Sequence, residues 1–436
     1  MQVVLLYPEV YEIARFNEKR KEFPPFGVLY LAAVAERAGH VVAIEKVTPD
    51  QKWLDLSAFD AVGFSLASSA TYGLMLEARN TSVIRHGAFV MVGGVHCNLY
   101  PEASLRDFGA HVASVGESEE TIIDILKGAE SKQFQGIPGT LWRDGPSVFR
   151  ARPRSLMRNI DQLPMPARHL LSVEDFVMSD RLADTDCRIA HVMFSRGCPF
   201  SCWSCAAGQT KVQYRSGASA RRELEQLIDQ YAIEGFAIVD DNFIVDRKRV
   251  AGICEQVAGL RLRWSALSRV DTVDAALLRK MANAGCIEIK YGMESGSESL
   301  LRAMHKNTTR SQIKRAIYDT VDAGIAAKVF VMHGFPGENM RTTQETIDLL
   351  DEMGSAVSRV SLFRFVPLPG ARVYKHADEY DIRGTHLQSD WDGDWSKFHI
   401  HHNARRWWGT DEQWMETERS YQLLLEFVEG RWNSQG

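Results

Sequence analysis

No run of apolar residues in this chain is long enough to span a bilayer, and its Met1-Gln-Val-Val-Leu-Leu-Tyr7 start is too short for a signal peptide. Charge of one sign is also missing. Lys and Arg number 51 against 56 Asp and Glu, and a net charge of −5 gives no electrostatic reason to expect nucleic acid or an acidic membrane as partner. Cysteine is scarce: seven residues, an odd number scattered outside one trio, do not make a disulfide scaffold. They fit a reducing compartment, so the expected location is the cytoplasm. What is present is the composition of a globular protein, 45% hydrophobic and 25% charged. Its 436 residues exceed one ordinary core, and two or three domains are expected.

The trio lies in Ser195-Arg-Gly-Cys-Pro-Phe-Ser-Cys-Trp-Ser-Cys205, where Cys198, Cys202 and Cys205 form a CxxxCxxC run. Gly197 and Pro199 disfavour helix there, so a loop can wrap the three sulfurs around a cluster. An electron-transfer [4Fe–4S] cluster takes four thiolates. Three leave one iron open to bind a substrate or cofactor. The alternative is three buried or zinc-binding cysteines, but zinc sites usually pair CxxC or Cys/His sets, and no matching second pair occurs.

The N-terminal third alternates strands and helices. Val3-Val-Leu-Leu-Tyr7, Val41-Val-Ala-Ile44, Ala61-Val-Gly-Phe-Ser65, Phe89-Val-Met-Val92 and Val112-Ala-Ser-Val115 read as strands. Gly27-Val-Leu-Tyr-Leu-Ala-Ala-Val-Ala-Glu-Arg-Ala-Gly39 has helical spacing and a glycine stop. This predicts a doubly wound, Rossmann-like α/β domain over residues 1–140, with ligands beyond the carboxyl ends of the strands. Residues 65–69, Gly93-Gly94-Val-His96 and Gly116-Glu117 fall there. The pattern alone would serve a flavin, a nucleotide or no ligand.

Residues 141–187 read as a linker, with Asn159-Ile-Asp-Gln-Leu-Pro-Met-Pro-Ala-Arg168 as its proline-punctuated part. Six further strands are expected, at residues 189–194, 235–239, 263–267, 287–291, 328–332 and 360–364. With helices between them they predict a partial (β/α)6 barrel over residues 188–376, its active site at the carboxyl ends of the strands. Those ends are polar. Asp240 and Asp241 follow the second strand, and either could bond a ligand or cap a turn. Arg269 follows the third, suited to a carboxylate or a structural ion pair. Glu294 and Ser295 follow the fourth, His333-Gly-Phe-Pro-Gly-Glu338 the fifth, and Phe365-Val-Pro-Leu-Pro-Gly-Ala371 the sixth.

The cysteine run, with Trp203 before its last cysteine, resembles the signature of the radical S-adenosylmethionine (SAM) superfamily. Gly292-Met-Glu-Ser-Gly296, Arg302-Ala-Met-His-Lys306 and the Pro-x-Pro-Gly loop match segments of the same family. Phe23-Pro-Pro-Phe-Gly-Val-Leu-Tyr-Leu-Ala-Ala33, Val92-Gly-Gly-Val-His96, Val115-Gly-Glu-Ser-Glu119 and the Leu-Pro-x-Pro-Ala connector look like the cobalamin-binding domain that precedes many such barrels. The resemblance implies a [4Fe–4S] cluster on Cys198, Cys202 and Cys205 whose open iron is chelated by SAM. Reductive cleavage of SAM would give a 5′-deoxyadenosyl radical, and methylcobalamin would deliver a methyl group to the substrate radical. It implies SAM contacts from Trp203, Asp241, Arg269, Glu294, Ser295 and His333, and cobalamin contacts from Phe26, Gly27, Ser65, Leu66, Ser68, Ser69, Gly93, Gly94, His96, Gly116 and Glu117. The DxHxxG motif of histidine-ligated cobalamin domains does not occur. That implies cobalt without a histidine lower ligand, or a domain that has kept the fold alone. His96 is therefore expected to pack or to touch the corrin periphery.

A small, mostly helical region is expected over residues 377–436, with a helix from about Thr410 to Arg431. It is expected to cover part of the barrel opening. His399, His401 and His402 in this region suit metal or substrate binding, or simple packing. The favoured activity is a cobalamin-dependent methyltransferase acting on an unactivated carbon, or on phosphorus, of a small molecule, lipid or peptide. An electron donor such as flavodoxin or ferredoxin would serve it. A cyclisation or rearrangement without net methylation, and a non-catalytic corrinoid-binding or redox-sensing role, are the alternatives. Methylthiotransferases need three N-terminal cysteines, whereas Cys97 is the only one before Cys187. Auxiliary-cluster maturases need later cysteines, and none follows Cys286.

Overall fold

Val3, Val4 and Leu6 are fully buried, although neighbouring side chains on a strand point to opposite faces of the sheet. Such a strand belongs at the centre of a sheet covered on both sides. The computed structural model, which describes residues 1–9, 11–12, 21–157, 159–182, 185–400 and 405–433, places it there. The chain divides into two compact units, Met1–Phe176 with Gly393–Phe398, and Val177–Asp392 with His399–Gly436.

In the first unit, five parallel strands stand side by side in the order Val41–Val47, Gln2–Pro8, Ala61–Ser65, Phe89–Gly93 and Val112–Ser114. The five expected strands are all present. Their order is flavodoxin-like, and its direction reverses between Gln2–Pro8 and Ala61–Ser65, the place where such sheets bind ligands. An antiparallel hairpin, Thr140–Asp144 with Ser147–Arg150, extends the sheet beyond Val112–Ser114. It occupies the start of the stretch read as a linker. The helix Phe26–Arg37 buries eight of its twelve residues, as a helix pressed on a sheet must.

In the second unit, six parallel strands follow one another in chain order: Thr185–Val192, Gly235–Ile238, Arg263–Arg269, Cys286–Glu294, Ala326–His333 and Val357–Arg364. An antiparallel strand, Val177–Leu182, lies outside the first. Sequential parallel order with a helical crossover after each strand gives the partial barrel. In Ala326–His333 every second residue is buried, and His333 among these reaches the helix Met340–Met353 through Thr343. Lys328, Phe330 and Met332 therefore share the opposite face. The C-terminal helix runs Asp411–Val428, started by a Thr410–Gln413 capping box, and packs on Met340–Met353. Residues of the same region reach two strand ends: Trp408 donates its indole N–H to the Gly334 carbonyl at 2.8 Å, just past Ala326–His333, and Glu418 pairs with Arg364 at the end of Val357–Arg364.

Candidate active site

The strand Thr185–Val192 leads into the cysteine loop, whose base is closed by a two-residue ladder of Ser195–Arg196 against Gln213–Tyr214. Asp240 and Asp241 anchor it. Asp240 accepts from the Phe194 amide at 2.7 Å and from the Ser195 hydroxyl, and burial pushes its carboxyl up to about 6. Asp241 accepts from the Gly197 amide at 3.0 Å. Gly197 sits at φ +85°, and a Cβ there would come within 2.7 Å of the Lys211 carbonyl, so the turn needs glycine. Thr210 fixes Cys198, accepting from its amide at 2.8 Å and donating to its carbonyl from the Thr210 amide at 2.9 Å. Cys198 is buried, Cys202 half-buried and Cys205 exposed, and all seven cysteines are free thiols. Among the described residues no three His, Cys, Asp or Glu side chains converge on a single-ion site.

A second layer braces this loop. Trp203 donates its amide to the Met304 carbonyl at 2.9 Å and stacks on His305, with centroids 5.1 Å apart and planes at 5°. The Ser201 hydroxyl lies 2.7 Å from His305 Nδ1, and the Arg372 guanidinium 4.8 Å from the Trp203 ring centre. Arg269 donates from Nη1 to the Cys202 sulfur at 3.0 Å, and its guanidinium carbon lies 4.1 Å above the Phe200 ring. Its bidentate partner is Asp271, at 2.9 and 2.8 Å, and Nη2 also donates to the Lys306 carbonyl at 2.8 Å. The fork expected to meet a SAM carboxylate is thus engaged within the protein. Lys306, itself buried, donates to Glu294 Oε1 at 2.9 Å. Glu294 takes φ +65° at a register shift between its strand and Ala326–His333, a costly conformation for a residue with a side chain. Ser295 is buried, its hydroxyl 3.2 Å from that of Thr346.

Residues 304–306, Thr210, Asp271 and Arg372 were not singled out as site residues by sequence reasoning. Only the match of the 302–306 stretch to a family segment pointed towards them. His333 departs from its expected place beside SAM. Its ring is buried between a strand and two helices, with Nε2 at 3.1 Å from the Thr343 hydroxyl and 3.0 Å from the Ser420 hydroxyl. Burial, then the charge of Arg364, pushes its pKa down to about 3. Glu338, near the end of the same loop, is bonded by Thr342, Thr343 and the Gly334 amide, and burial pushes its carboxyl up to about 7. His399 is described and half-buried; His401 and His402 lie outside the described residues.

At the carboxyl edge of the first unit's sheet, the backbone after Ala61–Ser65 turns at Leu66, whose amide donates to the Gly93 carbonyl at 2.7 Å and whose carbonyl accepts from the His96 amide at 3.0 Å. Gly94 permits this close approach. It lies at φ +104°, and a Cβ would sit within 2.8 Å of the Leu66 carbonyl. Ser68 caps the following turn through the Ala70 amide at 3.2 Å. His96 is fully buried: Nδ1 is 2.8 Å from the Ser69 hydroxyl, and its ring lies 4.2 Å from Tyr72, 5.0 Å from Tyr100 and 4.7 Å from Trp395. Packing is one of the two roles expected for it, beside a contact to the corrin periphery. Phe26 is buried, whereas Gly27 and Gly116 are exposed with nothing within 4 Å of a built Cβ. The Gly116 amide donates to Asn98 at 2.8 Å, and Glu117 beside it is half-buried. Open backbone at the carboxyl edge of the sheet suits a bulky corrin, and three free thiols on one braced loop suit a cluster.

Fold and site together define a two-unit protein, a flavodoxin-like ligand domain joined to a partial barrel that carries a three-thiol loop. Residues 192–350 match the radical SAM superfamily and residues 17–126 the B12-binding domain. The chain is therefore a radical SAM enzyme with a B12-binding domain, and the two domains imply a [4Fe–4S] cluster, SAM and cobalamin as cofactors. It is 28% identical over 374 residues to an uncharacterised methyltransferase of Pyrococcus horikoshii, covering 81% of this chain and 78% of that one. It is 23% identical over 370 residues to the anaerobic magnesium-protoporphyrin IX monomethyl ester cyclase of Cereibacter sphaeroides, covering 79% and 59%. Among solved structures, the radical S-adenosylmethionine methyltransferase TsrM from Kitasatospora setae, with cobalamin and a [4Fe–4S] cluster bound, shares the fold at a TM-score of 0.67 and 18% identity, over 87% of this chain and 78% of that one.

Proposed function

We propose that this chain is a cobalamin-dependent radical SAM methyltransferase that acts on an unactivated carbon, or on phosphorus, of a biosynthetic intermediate. The observation that carries this reading is the presence of both domains in one chain, together with a relative named a methyltransferase that spans 81% of it. In our division, residues 1–140 bind cobalamin, 141–187 link, 188–376 form the barrel and 377–436 close the chain; the two matched segments fall inside the first and third. When bound, the cluster and SAM supply a hydrogen-abstracting radical, and cobalamin supplies the methyl group. Cys198, Cys202 and Cys205 hold the cluster. Glu294 and Asp241 face SAM, since a carboxylate has lone pairs to spare for ribose hydroxyls. Trp203 and Ser295 keep their loops in place, and Arg269 and His333 are left out of the SAM set because their polar groups are engaged elsewhere. Phe26, Gly27, the 65–69 turn, Gly93, Gly94, Gly116 and Glu117 line the corrin.

The substrate belongs among small metabolites, lipids or peptide intermediates, and a flavodoxin or ferredoxin in the cytoplasm supplies the electron. Among the described residues no helix is long and apolar enough to cross a membrane. Cyclisation without net methylation is the second reading, favoured by the cyclase relative. Anaerobic purification, reconstitution with iron and sulfide, and addition of hydroxocobalamin test the proposal. About four irons and one cobalamin per chain are expected, with SAM cleaved to 5′-deoxyadenosine on reduction. Four irons and SAM cleavage without bound cobalamin would remove the methyltransferase reading.

A further inference from the structure

Arg269 is held more firmly than a brace for a loop requires. Its side chain is buried, Asp271 accepts from both Nε and Nη2 along one edge of the guanidinium, and the Lys306 carbonyl accepts a further N–H from Nη2. This leaves Nη1 aimed at the Cys202 sulfur at 3.0 Å. A guanidinium is charged at every accessible pH, so the donor is permanent. Hydrogen bonds to cluster sulfurs are among the main determinants of cluster potential.

We propose that Arg269 sets the reduction potential of the cluster through its hydrogen bond to the Cys202 sulfur, with Asp271 and Lys306 as the latch that holds it there. The inference rests on the radical SAM site described above. The step concerned is one-electron reduction of the oxidised cluster by an external donor; no bond forms or breaks, and Arg269 neither gains nor loses a proton. Reduction adds negative charge, part of which resides on the sulfurs. A buried cationic donor therefore stabilises the reduced cluster more than the oxidised one, and raises the potential. Because the donor does not titrate, this contribution is independent of pH.

The test is a redox titration of the anaerobically reconstituted full chain with dithionite, following the reduced cluster by electron paramagnetic resonance. Wild type, R269Q, R269K and D271N are compared with and without SAM. At the wild-type midpoint, R269Q is expected to show a ratio of reduced to oxidised cluster lowered about tenfold, equivalent to about 59 mV for one electron. R269K, which keeps the charge but loses the fork, should recover part of it, whereas D271N loosens the latch and removes a negative charge, two effects of opposite sign, and should shift the midpoint less than R269Q. A full iron complement in R269Q with an unchanged midpoint would reduce Arg269 to a structural brace. A shift seen only with SAM would mean that Arg269 acts on SAM and not on sulfur, which also overturns the proposal. Should R269Q fail to hold iron, R269K decides, because it keeps the charge and removes the fork: a midpoint below that of the wild type upholds the proposal, and an unchanged midpoint overturns it. Absence of iron from the wild type would instead bring down the radical SAM reading itself.

Discussion

The ordinary charge of Glu338 is at odds with its surroundings. Its carboxyl is fully enclosed, and burial holds its pKa at about 7 against an ordinary 4.5. Between those values the folded protein keeps a proton that the unfolded chain has lost. The stability associated with that proton is complete below pH 4.5 and disappears as pH rises through 7. Glu338→Gln should therefore stabilise the cluster-free protein at pH 8 by roughly 2–3 kcal/mol relative to its effect at pH 4.5. Urea denaturation at the two pH values measures this, and equal effects at both would show that Glu338 stays ionised in the fold. Single residues were unequally legible in the sequence. The cysteines stood out because their spacing is local, and Glu294 because it ends a recognisable strand. The Trp203–His305 stack joins residues a hundred positions apart, and the direction of the Arg269 side chain decides between Asp271 and a ligand. Neither contact has a local signature.

Elements were read best where both faces are buried. Gln2–Pro8 and its parallel neighbours appear as plain apolar runs because no face meets water. Two of the strands that escaped notice lie at edges. All four residues of Ser147–Arg150 are exposed, and Val177–Leu182 mixes apolar with charged residues, so neither carries a hydrophobic period to detect. The apolar face of Asp411–Val428 packs against Met340–Met353, while Trp408 ahead of it meets the Gly334 carbonyl at the end of Ala326–His333. The turn between Phe89–Gly93 and the helix Val95–Leu99, packed on Leu66, is the element on which the corrin reading depends most. Gly94→Ala combines a positive φ with backbone atoms 2.8–3.0 Å from the new Cβ. It should cost about 1–3 kcal/mol and push Leu66 out of register with Gly93. Hydroxocobalamin binding, titrated by absorption, should weaken accordingly; wild-type affinity in a folded G94A protein would remove this turn from the cofactor site.

At the scale of the whole molecule, the first unit is completed by six residues, Gly393–Phe398, taken from far along the chain. Trp395 in that segment meets the rings of Tyr72, His96 and Tyr100 at 6.2, 4.7 and 5.0 Å. Aromatic pairs of this kind contribute about 0.5–1.5 kcal/mol each beyond area burial, so Trp395→Ala should cost about 1–3 kcal/mol. The loss should appear as faster hydrogen exchange in the strands Ala61–Ser65 and Phe89–Gly93. Unchanged exchange there would mean that the segment merely rests on the sheet.

The discontinuity also sets a timetable for biosynthesis. A ribosome makes Met1–Phe176 first and reaches Trp395 only after almost all of the second unit has been threaded out. At roughly 5–20 residues per second, that leaves the aromatic surface of Tyr72, His96 and Tyr100 without its lid for on the order of ten seconds or more. The nascent protein is thus a natural client for chaperones over that interval. Any shortened product ending before Gly393 would carry the same bare patch permanently and should be cleared or aggregate.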